Sequence, residues 1–458
     1  MSTKPPSGTR DFLPDEVRRR EHVMRVVREV YESYGFEPLE TPAFENIETL
    51  LGKYGEEGNK LIFKILRRGE HEASGVADLA LRYDLTVPLA RVVAQYQQDL
   101  PKFFKRYQIQ PVWRADRPGR GRFREFYQCD IDAIGSTSPV VEAELLAAVS
   151  EVLGRLRFET FSIRLNHRQA LTALLDCAGV PVALHAEALV ALDKLDKVGP
   201  AGVEKELEAR GVDREATGAC LRVFAAAAPD TPGDQIEQLR RFVNGHEAGT
   251  AAVDELAVIV GLTEGTRAQG RIRIDPSLAR GLSYYTGAIM EIAVPDLAGS
   301  LGGGGRYDQL VGMFLGRDIP ACGFSLGLER LIVVMTERDM FPARVSRGAV
   351  DVMVTFLTDA HRADALRLAS ELRAERLRVE VFPEAGRKLE KPLKYASSRN
   401  VPVLTILGDD EWAHGEVAVR DLQTRQQENV PRTTAAEWIA RRVRIAAPSP
   451  SEQRTSEP

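Results

Sequence analysis

The sequence has little of what builds a disulfide framework or a metal centre. Its 458 residues include four cysteines, Cys129, Cys177, Cys220 and Cys322, scattered without a Cys-x-x-Cys pair. That argues against both a disulfide scaffold and a cysteine zinc site. The seven histidines show neither His-x-x-x-His nor Glu-paired spacing, which argues against a transition-metal site. No apolar run approaches membrane-spanning length, and the opening MSTKPPSGTRDFLPDE lacks the apolar centre of a leader peptide. A cytoplasmic location is therefore the default expectation. There is no Walker loop and no strand-linked Gly-x-Gly-x-x-Gly, so any nucleotide must be held by other means. A net charge of −5 excludes a generally basic coat for nucleic acid.

What is present is an ordinary globular composition, 44% hydrophobic and 28% charged, in a chain long enough for two or three domains. One stretch is locally basic: Lys102, Lys105, Arg106, Arg114, Arg117, Arg120, Arg122 and Arg124 face the single acid Asp116. Such a surface suits a polyanion, and a solvated strand and loop would read the same way. Residues 17–34 carry Val23, Val26, Val27 and Val30 on one helical stripe, ended by Gly35. From about 61 to 134 the segments LIFKIL, LALRYDL, KFFKRYQIQPVWR and FREFYQCDIDAI are strand-like and separated by turns, which predicts a largely antiparallel sheet. A helix is expected over 138–156, and 166–269 is Ala/Leu/Glu-rich and helical, an inserted module. Strands resume at RIRID and YYTGAIMEIAV, followed by the glycine run Gly302–Gly305 and a helix expected over FSLGLERLIVVM. Alone, that glycine run reads as a tight turn or a close backbone approach rather than a phosphate cradle. Beyond Pro342, DVMVTFL, a helix from His361, VEVF, a second helix and VPVLTIL alternate as β-α-β-α-β before a C-terminal helix, a compact α/β domain. The polar tail 446–458 is expected to be disordered.

Four segments resist an ordinary structural explanation when read together. They are LRYDLTVPLAR (81–91), VWRADRPGRGRFREFYQCDID (112–132), ARGLSYYTG (279–287) with GGGGRYDQL (302–310), and CGFSLGLERL (322–331). In that order the chain resembles the histidyl-tRNA synthetases, from about Thr9 to Arg442. The second and fourth segments are similar to motifs 2 and 3 of class II aminoacyl-tRNA synthetases, and the first and third to segments of the histidine-specific members. The resemblance implies an α+β fold: an antiparallel-sheet catalytic domain in two parts (1–165 and 270–343), the helical insertion (166–269) and an α/β anticodon-binding domain (348–445). It implies a ligase that activates L-histidine with ATP and Mg²⁺, loads it onto tRNA(His), and works as a homodimer. Pro42 resembles the motif 1 proline of the dimer interface, though a strand-edge proline would look alike.

The residues suit those roles. Activation is in-line attack of an already ionised carboxylate on the α-phosphorus, so positioning and charge cancellation matter and no Ser–His apparatus is needed. A planar guanidinium bridging two oxygens supplies both. The resemblance puts Arg114 and Arg280 on the α-phosphate and substrate carboxylate, Arg122 and Arg330 along the β- and γ-phosphates, and Phe126 on adenine, with Asp116 nearby. It puts Asp84, Thr86 and Gln128 at the amino end of histidine, and Asp132, Tyr284, Tyr285 and Tyr307 around the imidazole, with no Mg²⁺ ligand assigned. Two adjacent strand tyrosines point to opposite faces, so at most one of Tyr284 and Tyr285 is expected to touch the ligand. The chain departs from common family patterns at Ser283, where many members carry Asp, and at Asp116, where the class II pattern has Glu; Asp84 follows one of two family branches. In the last domain the basic residues Arg387, Lys388, Lys391, Lys394 and Arg399 suit an RNA loop. Three other readings compete: a non-catalytic regulatory subunit of ATP phosphoribosyltransferase, a class II synthetase for another amino acid, and an inactive RNA sensor. The regulatory paralogues usually lack the last domain and parts of the ATP site, other amino acids would not need this Tyr/Asp set, and a sensor is expected to lose Arg280 or Arg330.

Overall fold

A computed structural model describes residues 3–67, 69, 75–226, 228–279, 284–295, 297, 299–342, 345, 349–385 and 388–445. Arg280, Ser283, Arg387 and the tail 446–458 lie outside the described residues. The chain divides into two compact units, Met1–Phe12 with Arg20–Met340 and Leu13–Arg19 with Phe341–Pro458.

The first unit contains β1 (Glu37–Pro38), β2 (Phe44–Asn46), β3 (Lys64–Leu66), β4 (Ala77–Leu81), β5 (Phe104–Trp113), β6 (Glu125–Ile134), β7 (Ser162–His167), β8 (Ile272–Ile274), β9 (Ala288–Ala293), β10 (Gly302–Arg306) and β11 (Ala321–Gly327). Eight of these form one sheet in the order β1-β5-β6-β11-β10-β9-β7-β8. Every pairing from β5 across to β7 is antiparallel, and only the edge pairs β1/β5 and β7/β8 are parallel. A small antiparallel sheet, β2-β4-β3, stands beside it. The ten-residue β5/β6 ladder follows from alternation: in β6, Gln128, Asp130 and Asp132 share one face while Cys129, Ile131 and Ala133 share the other. Its register sets Arg106 opposite Asp132 and Gln110 opposite Gln128.

The helix Val140–Arg155 buries Leu145, Leu146, Val149, Val152 and Leu153, an apolar stripe at helical spacing. Between β7 and β8 the chain is helical, from Arg168–Cys177 through Glu247–Leu262. Asp213 and Thr231 begin two of these helices by accepting backbone N–H groups, the usual work of short polar N-caps.

Three local expectations are revised. FSLGLERLIVVM is not one helix: Ala321–Gly327 is a strand paired on both sides, and the helix is Leu328–Glu337. Both neighbours supply ladder partners for its backbone, and Gly327 breaks the strand before the helical stripe begins. LALRYDL ends as a strand at Leu81, and the chain turns into the helix Thr86–Gln95, where Val87, Leu89, Ala90 and Val93 repeat at helical spacing. The glycine run is a strand, and its close-approach aspect holds. A Cβ at Gly302 would sit 2.4 Å from the Ser325 carbonyl oxygen, and one at Gly304 only 2.1 Å from that of Gly323.

The second unit holds β12 (Val352–Phe356), β13 (Val379–Val381), β14 (Val403–Leu407), β15 (Glu416–Asp421) and β16 (Gln427–Pro431) in the order β13-β12-β14-β15-β16. The first three are parallel, as the β-α-β-α-β reading requires, and the charged hairpin β15/β16 adds two antiparallel strands that the sequence reading passed over. The helix Arg362–Ala374 buries Ala365, Leu368, Ala369 and Leu372 against this sheet. No helix among the described residues is long and apolar enough to cross a membrane.

Candidate active site

A cleft of about 480 Å³ opens on the large sheet, walled by residues of β6, β9, β10 and β11 and of the turns that lead into them. Asp84, Thr86, Arg114, Asp116, Arg122, Phe126, Gln128, Tyr284, Tyr285 and Arg330 all line it. Gly302, Gly303 and Gly304 supply bare backbone to the same wall. Their missing side chains both let the strands approach and leave room for a ligand.

Asp84 stands in the turn between β4 and the helix Thr86–Gln95. Its Oδ1 accepts hydrogen bonds from the Val87 N–H and the Tyr54 hydroxyl, both at 3.0 Å, and its Oδ2 accepts one from the Tyr284 hydroxyl at 3.3 Å. The carboxylate is 1% exposed. Burial raises its pKa, and Arg114 together with these donors opposes the rise.

The cleft is also lined by cations. Arg114 donates from Nε to the Tyr83 carbonyl at 3.0 Å, and its guanidinium lies 4.3 Å from the Tyr83 ring centre and 5.2 Å from that of Phe126. Arg122 is held by Asp116 at 2.7 Å, and the Asp116 carbonyl accepts from Arg124 at 3.1 Å. Arg330, in the first turn of Leu328–Glu337, donates to the Ser300 carbonyl. Its neighbour Glu329 is buried, pairs with Arg20 at 2.8 Å and accepts the Tyr127 N–H at 2.9 Å. The start of this helix is thereby tied to β6.

Asp132 and Tyr307 are not on the cleft wall. They are buried, and the Tyr307 hydroxyl donates to Asp132 Oδ1. Arg106 Nη2 lies 2.9 Å from Asp132 Oδ2. Arg106 was counted in a basic surface, and that is corrected: it is 0% exposed, because the β5 face it shares with Gln108 is covered. Lys105 likewise pairs with Glu144 at 2.8 Å, and Arg120 with Glu337. The opposite-face argument for the tyrosine pair also fails. Tyr284 and Tyr285 precede β9 and lie in a turn, so both line the cleft, with their rings 5.1 Å apart and edge-on.

Several residues of this region escaped the sequence reading. Ser325 lines the cleft and accepts from Gln128 Nε2 at 2.8 Å. Asp130, 2% exposed, is pushed up to about 7, chiefly by burial, with Arg106 opposing and Asp132 adding to the rise. The Gln128/Asp130/Asp132 alternation was the signal: a polar stripe on a strand that the sheet order places centrally is a covered polar face. Among the described residues no three His, Cys, Asp or Glu side chains are grouped to hold a metal ion.

This geometry can be set beside known proteins. Residues 8–331 match the family model described as histidyl-tRNA synthetase, and residues 351–442 match the anticodon binding domain model. A histidine–tRNA ligase of Gloeobacter violaceus is 42% identical, over 95% of this chain and 98% of the relative. One of Christiangramia forsetii is 39% identical, over 94% and 98%. The crystal structure of histidyl-tRNA synthetase from Nostoc sp. PCC 7120 superposes with a TM-score of 0.81 at 32% identity, covering 96% of this chain and 100% of that one. A Bacillus halodurans structure titled ATP phosphoribosyltransferase regulatory subunit/histidyl-tRNA synthetase shares the fold, at a TM-score of 0.73 and 22% identity over 89% of this chain and 98% of that one. With a matching family model over most of its length and near-full-length relatives at about two-fifths identity, the chain belongs to the histidyl-tRNA synthetase family.

Proposed function

We propose that the cleft joins L-histidine to ATP, and that the chain then loads the histidyl group onto tRNA(His), as the names of its relatives describe. The observation that carries this is the set of groups lining one cleft. A buried carboxylate held by neutral donors, several guanidinium groups and a bare glycine strand share its wall. An amino acid is an ammonium beside a carboxylate, and ATP is a polyanion, so the carboxylate suits the one and the guanidinium groups the other.

Asp84, with Thr86 and Gln128, takes the ammonium, and Tyr284 and Tyr285 enclose the ring. Tyr307 and Asp132 support that subsite from behind the wall. The substrate carboxylate oxygen attacks the α-phosphorus in line, the bond to the bridging oxygen breaks, and pyrophosphate leaves. Arg114, with Arg280, neutralises charge growing at the α-phosphate, while Arg122 and Arg330 hold the β- and γ-phosphates. Phe126 stacks on adenine, and Asp116 acts by orienting Arg122. The 2′- or 3′-hydroxyl of the terminal adenosine then attacks the histidyl carbonyl and AMP leaves. Mg²⁺, entering with ATP, would offset phosphate charge, and Glu291 on the cleft wall would be one carboxylate able to help hold it. The chain works in the cytoplasm as a homodimer joined near Pro42, the 166–269 helices form an insertion, and 348–445 reads the anticodon.

The test is ATP–pyrophosphate exchange with each standard amino acid in turn. Histidine alone should drive it. Stronger exchange with any other amino acid, or none with histidine, sinks the reading, and the second result is the one a regulatory paralogue would give.

A further inference from the structure

The amino-acid subsite of the cleft holds its buried carboxylates in two different ways. Among the described residues, Asp84 is hydrogen-bonded only by neutral groups, the Tyr54 and Tyr284 hydroxyls and the Val87 N–H. Arg114 acts on it through its field without a hydrogen bond, so the carboxylate can still accept from a cation that enters the cleft. Asp132 already has a cation of its own. Arg106 stands directly across the β5/β6 ladder, with Nη2 at 2.9 Å from Oδ2 and side-chain exposures of 0% and 3%.

That arrangement is built into the strands. Gly323 faces Asp132 from β11, and a Cβ there would lie 1.9 Å from Asp132 Oδ1, so only glycine admits the carboxylate. Among the described residues, the titratable groups around it include Asp130 on β6, Tyr31 on the N-terminal helix, Tyr307 after β10, Cys322 on β11, Tyr284 and Tyr285 before β9, and Asp84. Burial pushes these tyrosines and the thiol upward, so they stay neutral. Asp130 shares the same guanidinium and is raised toward neutrality. One guanidinium therefore faces two carboxyls that burial disfavours as anions.

On the histidine reading above, on which this rests, we propose that the cleft takes histidine with its imidazole uncharged, and that Arg106 is the positioning residue that sets this. The ammonium meets Asp84. A second positive charge on the ring would find the carboxylate behind the wall, Asp132, already paired with Arg106, in a place where an unmatched charge is costly. A neutral ring, donating from one nitrogen and accepting at the other, can be satisfied by tyrosine hydroxyls and amide groups.

The histidine KM in ATP–pyrophosphate exchange is measured from about pH 5.5 to 8, alongside the amino acid in which 1,2,4-triazole replaces imidazole. Imidazole titrates near about 6.5, so the histidine KM should rise about tenfold per unit below that value. The triazole, neutral throughout, should give a level KM. A histidine KM that stays level or falls in acid overturns the proposal. So does a triazole KM that rises in step with histidine's, because the titrating group would then belong to the protein. Arg106→Met should flatten or reverse the histidine profile and leave the KM for ATP unmoved, and Arg106→Lys, keeping the charge, should restore it. A merely structural role would lower kcat and raise both KM values at every pH without changing the profile. If Arg106→Met does not fold, the two wild-type profiles decide. Absence of exchange with histidine at every pH would overturn the functional reading itself, a result distinct from exchange with the wrong profile.

Discussion

The two units of this chain bury different chemistry. The first encloses Arg20, Arg82, Asp84, Arg106, Asp130, Asp132, Glu142, Arg306 and Glu329 at single-digit exposure. The polar residues buried in the second are few, Thr355, His361, Asp364 and Thr405 among them, and its cores are built from Val, Leu, Ile and Ala. Buried ion pairs are poor stabilisers, since desolvation consumes most of their attraction. Their concentration in one unit therefore points to placement rather than strength. Arg20–Glu329 fixes the helix that carries Arg330, and Arg106 holds Asp132. The Arg306 side chain pairs with Glu142 at 2.6 Å, and its backbone carbonyl accepts the Thr286 N–H at 2.8 Å, which anchors the turn that bears both tyrosines. Arg82 ties Thr41, Pro42 and Pro111 together beside Asp84.

If that contrast is right, substitutions in the two units should fail differently. The largest effect belongs to Arg114→Ala. Removing one transition-state charge contact should lower histidine-dependent exchange by about 10²–10³. Because Arg114 is only half-buried, thermal stability should change little. Normal turnover by the folded variant would make Arg114 structural and break the comparison. Next is Leu372→Ala, fully buried in the second unit's core. It should cost about 2–5 kcal/mol of that unit's stability. Denaturant unfolding followed by the fluorescence of Trp438, which packs on that core, reads the loss. Exchange should persist while transfer to tRNA weakens. Loss of both together would show that the units do not divide the work.

Much of this was legible in the sequence, and the failures have physical causes. Strong periodicity carried the first helix, the β5/β6 ladder and the parallel part of the second unit. Period two and period 3.6 are hard to separate in short apolar segments, so CGFSLG was absorbed into the helix that follows it. The β15/β16 hairpin was missed because its apolar run is only Val417–Val419, all buried, and its second strand is polar, with Gln427, Glu428 and Asn429 exposed. At the site, the ordered motifs located the cleft residues that line it. What they could not locate were partners that depend on register. Arg106 reads as one of many basic residues until the ladder sets it across from Asp132. The tyrosine pair was misjudged because the strand pattern was begun at Tyr284, whereas the strand begins at Ala288.

The pH dependence of stability is the most direct probe of the polar interior. The unfolded chain releases the Asp130 proton near the ordinary carboxyl value, about 4, whereas the folded chain retains it to about 7. Between those values the native state binds more protons than the unfolded state. Stability from this group is therefore complete below the lower value and is lost as pH rises through the upper one. Asp130→Asn cannot titrate, so its stability should stay nearly level across the same window. Measured by denaturant unfolding at about pH 4, 5.5 and 7.5, the variant should match the wild type in acid and exceed it increasingly toward neutrality. The opposite trend, with the wild type gaining on the variant as pH rises, would mean that the Arg106 field more than repays desolvation. The buried charges of the first unit would then hold the fold together as well as arrange the cleft.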